Sequence, residues 1–173
     1  LVSLTPFIKA LCPATHLADV NLKDPSSKFK EGNKLEFRVL STDPANDKVL
    51  LTHKNSLMTT QLPLITSYEG LAQGTLSHGY ITSVKVHVLF FHPQTSRLTL
   101  CIFLQPHGIF VTFYNGVTGL VSAAEAGVAV GESLIAKFHV GQVKVCRVLH
   151  ADAENKKIAL SFLVSSSFTP KSK

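Results

Sequence analysis

The amino-acid sequence predicts an all-β protein built from two tandem five-stranded Greek-key barrels, the first of them incomplete. Three observations carry this expectation. Phe138–Ser161, FHVGQVKVCRVLHADAENKKIALS, recurs without a gap and at a constant offset as Phe29–Thr52, FKEGNKLEFRVLSTDPANDKVLLT. Phe29, Gly32, Arg38-Val39-Leu40, Asp43, Asn46, Lys48 and Leu51 match Phe138, Gly141, Arg147-Val148-Leu149, Asp152, Asn155, Lys157 and Leu160. Such self-similarity marks duplicated modules. Within each copy the apolar runs are short, rich in Val, Ile and Phe, and separated by Asp, Asn and Gly, which is the composition of strands joined by tight turns. A chain of 173 residues accommodates one ordinary domain or two small ones, and the repeat favours two.

Taken in order, the first copy (1–54) opens on short β-prone pieces at Val2–Leu4 and Phe7–Leu11. It is short of one strand for a closed module, so it is expected to lack its opening strand. His16-Leu17-Ala18-Asp19 leads into a crossover in which Pro25 prevents a long helix. His16 is expected to be exposed and polar, against the alternative of a buried hydrogen-bond network. Leu35, Phe37 and Val39 alternate with Glu36 and Arg38 as in a strand with one wet face. DPAND turns the chain, and Val49–Thr52 returns.

Residues 55–73 mix Leu and Ile with polar residues and Pro63, which predicts a packed connector and not a Gly/Ser tether. The second copy spans 74–165 and is followed by a tail, 166–173. Its strands are expected at Tyr80–Val84, Ile109–Phe113, Val117–Val121, Val143–Leu149 and Ile158–Ser161, with an Asn115-Gly116 hairpin turn and a short helix within SAAEAGVAVGESL. Val86–Gln105, whose only formal charge is Arg97, interrupts this copy as an insertion that the module does not require.

Seventeen Lys and Arg against eleven Asp and Glu give a formal charge of +6, which favours an anionic partner of any kind. Cys12, Cys101 and Cys146 form no CxxC pair, so neither a secreted disulfide scaffold nor a metal site is expected. LVSLTPFIKAL lacks a basic n-region and a cleavage segment, so a signal peptide is not expected there, and no apolar run approaches the roughly 20 residues of a membrane-spanning helix. The glycines fit no nucleotide-binding loop. His16 with Cys12, or His107 with Asp152, would need a third orienting group to make a catalytic set, and no pattern supplies one. No enzyme, cofactor, membrane or small-molecule substrate is therefore expected.

GIFVTFYNGVTGLVSAAE followed by FHVGQVKVCRVLHADAENKKIALS resembles the RNA-binding domain of the ribosomal-protein-S1 type, a version of the OB-fold. The first copy is similar through HLAD and FKEG-RVLSTD-KVLLT. The pair resembles repeats of large nucleolar factors that mature ribosomal RNA. The resemblance implies a nuclear, nucleolar RNA-binding segment whose partners are single-stranded pre-ribosomal RNA and small-subunit processing proteins. It places His107, Phe110 and Lys157 on the RNA face of the second copy, with Asp152 orienting the turn, and Phe7, His16, Asp43 and Lys48 as their counterparts in the first. Ser122 stands where a stacking His is frequent, and His16 is expected to retain that ring. Phe7, Phe110 and neutral His stack on bases, while Arg38, Lys48, Arg147, Lys156 and Lys157 are candidates for phosphate contact. The competing reading is a spacer or protein-docking scaffold.

Overall fold

The computed structural model describes residues 1–5, 7–19, 28–30, 32–85, 108–128 and 132–164. The proposed insertion, His107 and the 166–173 tail lie outside the described residues. Chain order is β1 (Val2–Ser3), β2 (Lys9–Ala10), β3 (Arg38–Asp43), β4 (Lys48–Thr52), α1 (Asn55–Met58), β5 (Leu76–Lys85), β6 (Gly108–Thr112), β7 (Thr118–Val121), α2 (Leu134–Lys137), β8 (Val143–Asp152) and β9 (Lys157–Ser161).

The second copy closes as a barrel in the order β5-β6-β7-β9-β8. Only β7 and β9 run parallel; the other neighbours are antiparallel. With α2 crossing between the third and fourth strands, this is the five-stranded Greek-key OB-fold. Alternation along the strands turns Ile81, Ile109, Val111, Val121, Val148, Ile158 and Leu160 inward, all at most 2% exposed. Gly119 is required where β7 crosses β9, because a Cβ there would lie 2.5 Å from the Leu160 Cδ1.

The first copy has the same pairings but no closed barrel among the described residues. Val2↔Ala10 and Ser3↔Lys9 of β1–β2 recur at the same offset as Val111↔Gly119 and Thr112↔Thr118 of β6–β7. The parallel bridge Leu11↔Leu50 recurs as Leu120↔Ala159. A bulge interrupts β3 between Val39 and Ser41, and another interrupts β8 between Val148 and His150 at the same spacing. The correspondence thus reaches back to Val2, beyond the stretch legible in the sequence. Among its described residues the first copy shows no counterpart of β5. Val148, under β5, is fully buried; Val39, its equivalent, is 46% exposed.

Some boundaries differ from expectation. β3 begins at Arg38 and leaves Leu35 before it, while β5 runs ten residues because it pairs with β8 along its first half and with β6 along its second. The short helix falls at Leu134–Lys137, after a chain reversal at Gly127, whose φ of 65° breaks helical continuation upstream. The connector is packed: Ile65 is 2% exposed within the barrel core, its carbonyl accepts the Tyr114 N–H at 3.1 Å, and the Tyr68 hydroxyl accepts the Thr118 N–H at 3.0 Å.

The copies meet in a joint formed by Leu40, Leu57, Tyr80 and Tyr114. The Arg38 Nη1 donates to the Leu57 carbonyl at 2.7 Å and lies 3.5 Å from the Tyr114 hydroxyl, which donates to the same carbonyl at 3.4 Å. Lys54, 2% exposed, donates its Nζ to the Gly141 carbonyl at 2.6 Å. Gly141 has φ 87°, and a Cβ there would sit 3.2 Å from Thr15, so the close approach of the copies also needs this glycine. Asp19 of the HLAD stretch accepts the Ser56 N–H at 3.2 Å and the Ser56 hydroxyl, anchoring the first turn of α1 beside the joint.

Candidate nucleic-acid interface

The outer side of β5–β6–β7 carries one half-buried aromatic ring on a polar surface. Phe110 points away from the core because its neighbours Ile109 and Val111 point into it. The Lys85 Nζ lies 5.1 Å from the Phe110 ring centroid, a cation–π distance. Beside the ring runs a row of hydroxyls: Thr82 to Thr112 at 3.2 Å and Thr112 to Thr118 at 3.4 Å, with the Thr82 hydroxyl also donating to the Phe110 carbonyl at 3.2 Å. Phe110 is in register with Leu120, and Leu120 with Ala159. Lys157, two residues before Ala159 and exposed on the same side of β9, stands at the margin of this surface.

The charged turn between β8 and β9 is built locally. The Asp152 Oδ1 accepts the Asn155 N–H at 3.0 Å and its Oδ2 accepts the Asn155 side-chain amide at 2.7 Å. These bonds hold the Asp152 carboxyl below the usual carboxylate range. Lys156 takes φ 52°, and it and Lys157 are exposed. The turn after β3 is a copy of it. Asn46 donates to the Asp43 Oδ2 at 2.7 Å, Asp47 takes φ 49°, and Lys48 is exposed. Asp43, like Asp152, is held below its ordinary range by its Asn partner.

Four sequence expectations are corrected by the structure. His16 is 4% exposed, edge-on to Tyr80 at 4.4 Å between ring centroids, with its Nδ1 3.4 Å from the Thr52 hydroxyl. It is therefore not exposed, because the second barrel covers it. Burial, reinforced by the charge of Lys54, lowers its pKa to about 4 and keeps the ring neutral. The strand registers also match His16 to Glu125 and Pro13 to Ser122, so the stacking His is not retained in the first copy. Phe7, 95% exposed beside the β1–β2 turn, falls opposite Gly116 and not opposite Phe110. Arg38 is committed to the joint.

Arg147 and Phe110 are not brought together. Arg147 pairs with Leu76 at the start of β5, whereas Phe110 pairs with Ser83, seven residues on. That is roughly 23 Å at ~3.3 Å per residue. Conversely, Lys85, Thr82, Thr112 and Thr118 were missed in the sequence. The alternation of Thr112 with Val111 and Phe113 marks one side of β6, but Thr82 reaches the row through a bulge between Ile81 and Ser83, which only the partner strand reveals.

Residues 1–52 match the family model described as the RRP5 S1 domain. The chain is 34% identical over 167 residues to "rRNA biogenesis protein RRP5" of Arabidopsis thaliana, covering 96% of this chain. It is 34% identical over 171 residues to "Protein RRP5 homolog" of Mus musculus, covering 99%. It is 32% identical over 158 residues to "rRNA biogenesis protein rrp5" of Schizosaccharomyces pombe, covering 91%. In each case it spans 8% of the relative's length. Two solved structures are also similar. The uncharacterized protein MJ1198 of Methanocaldococcus jannaschii has a TM-score of 0.36 at 14% identity, over 56% of this chain and 97% of that one. GSP13 of Bacillus subtilis has a TM-score of 0.41 at 21% identity, over 63% and 68%. The repeated register, the closed barrel and the match along nearly the whole sequence converge: the chain carries the S1 domain of the RRP5 family.

Proposed function

We propose that this chain is an RNA-binding segment of a nucleolar ribosome-biogenesis factor, and that the closed barrel contacts single-stranded pre-ribosomal RNA through the outer side of β5–β6–β7. The observation that carries this reading is the half-open Phe110 ring beneath the Lys85 amine, with three threonine hydroxyls alongside. An unpaired base stacks on the ring, Lys85 and Lys157 meet phosphates, and the hydroxyls bond to base or sugar edges without demanding one sequence. The excess of basic residues supports the same partner. The turn lysines, Lys156 and Lys157, extend the positive margin. The relatives named as rRNA biogenesis proteins support the RNA class and the nucleolar setting.

The first copy has a different part in this reading. Its Arg38 and His16 hold the second barrel, so it acts chiefly as a spacer that orients the binding face. Lys48 and the exposed Phe7 remain available for additional contact. No catalytic step belongs to the proposal.

Titrating the whole chain with single-stranded rRNA fragments tests it. Phe110→Ala is expected to weaken binding by about 5- to 150-fold, the equivalent of one base stack at ~1–3 kcal/mol. Lys85→Gln and the Lys156/Lys157 double replacement are expected to reduce the salt dependence by about 0.7 in log–log slope per lost phosphate contact. Equal affinities for parent and folded Phe110→Ala would overturn the contact face.

A further inference from the structure

We propose that the outer side of the β8 bulge, Arg147 and Leu149 with Leu163 beside it, is a docking surface for a further barrel of this same kind. In the joint between the copies, the bulge of β3 presents Arg38 and Leu40, and the next barrel covers both: Leu40 is 2% exposed and the Arg38 guanidinium grips the Leu57 carbonyl beside Tyr114. The bulge of β8 presents Arg147 and Leu149 at the same register positions of the second copy. Here nothing among the described residues completes the arrangement. The Arg147 Nε is buried with no hydrogen-bond partner among the described residues, and Leu149 is only partly buried, where Leu40 is sealed.

The path of the chain supplies an independent observation. After β4, the Lys54 N–H donates to the Thr52 hydroxyl at 3.2 Å, and this turn starts the connector toward the second barrel. After β9, the Leu163 N–H donates to the Ser161 hydroxyl at 3.0 Å, the same turn at the same spacing. Lys54 is 2% exposed inside the joint, whereas Leu163, its equivalent, is 49% exposed. An apolar side chain thus lies uncovered where the corresponding position of the first copy is sealed by the next barrel. A barrel arriving by such a connector brings a backbone carbonyl and a hydroxyl-bearing aromatic, as Leu57 and Tyr114 do, to the waiting guanidinium. An RNA phosphate satisfies the charge of Arg147 but leaves Leu149 and Leu163 uncovered, so the observations favour a barrel.

The test extends the chain so that a second copy of residues 56–164 follows Val164 at the spacing of the first joint. Spin labels are introduced as non-cysteine amino acids at Ala45 and Glu154 to read the first joint, and at Glu154 and its copy to read the second. Both joints are expected to give one narrow distance at the same value. Arg147→Ala and, separately, Leu149→Lys are expected to abolish the narrow distance at the second joint only, while Arg38→Ala abolishes it at the first. Leu149→Lys changes a side chain that already reaches the surface in part, so it reports on docking even where loss of Arg147 unfolds the barrel. A broad second joint in the parent, or a narrow one unaffected by either substitution, overturns the proposal. A broad second joint together with a salt-dependent loss of RNA affinity in Arg147→Ala assigns the guanidinium to phosphate instead.

Discussion

Acidification acts on the joint through His16, and its effect is calculable. The neutral ring sits against Tyr80 and Thr52 with the Lys54 charge nearby, which places its pKa at about 4 against an ordinary 6.5. The unfolded chain therefore takes up this proton before the folded one does. Stability contributed by neutral His16 is complete above pH 6.5 and is lost progressively as pH falls toward 4, with a slope of at most ~1.4 kcal/mol per pH unit. Integrated over the window, the loss reaches about 3 kcal/mol at most, and the cost of opening the joint caps it. Urea unfolding between pH 4 and 7.5 measures the effect, with His16→Asn as reference because its amide reproduces the Nδ1 position without the charge. The parent is expected to lose stability more steeply than His16→Asn on acidification. Parallel curves, or a His16 proton titrating near 6.5 by NMR while the copies stay docked, would refute the reasoning.

Three further outcomes follow from the packing. Arg38→Ala removes a charged donor from the Leu57 carbonyl and is expected to cost about 1.5–3 kcal/mol in urea unfolding, with the spectrum of the closed barrel preserved. Gly119→Ala forces a methyl against Leu160 and is expected to destabilise the barrel by about 1–3 kcal/mol, read as a lowered thermal midpoint. Cys146, fully buried and with its thiol pushed up to about 12 by desolvation, is expected to resist alkylation at pH 8 and to react only as the barrel unfolds; rapid labelling of the native chain at this residue would contradict the packing.

Much of the fold was legible because its signals are local. The Asp43–Asn46 and Asp152–Asn155 turns are built within four residues, and the echo between them exposed the duplication. Strand identity in β6, β7, β8 and β9 followed from short runs rich in Val, Ile and Phe bounded by turn residues, for the same reason. The candidate site was legible only in part. Phe110 enters as a candidate through the family resemblance, and its outward orientation follows only from the burial of its neighbours Ile109 and Val111. Lys85 was missed because its relation to that ring depends on the register of β5 against β6, including a bulge at Thr82.

His16 shows the limit most clearly. In the sequence it sits in a polar stretch with no partner in view, and exposure was the natural expectation. Its partners, Thr52 and Tyr80, lie far along the chain, the latter in the other copy, and it is buried because a second module covers it. Arg38 and Arg147 carry the lesson further, since identical residues in identical registers differ only in what lies opposite them. The sequence by itself determined the duplication, the turns and the strand chemistry, which depend on backbone preferences and hydrogen bonds over a few residues. Only the tertiary structure decided which basic and aromatic groups stay open to a ligand and which are spent in the joint, because desolvation depends on neighbours far away in the chain.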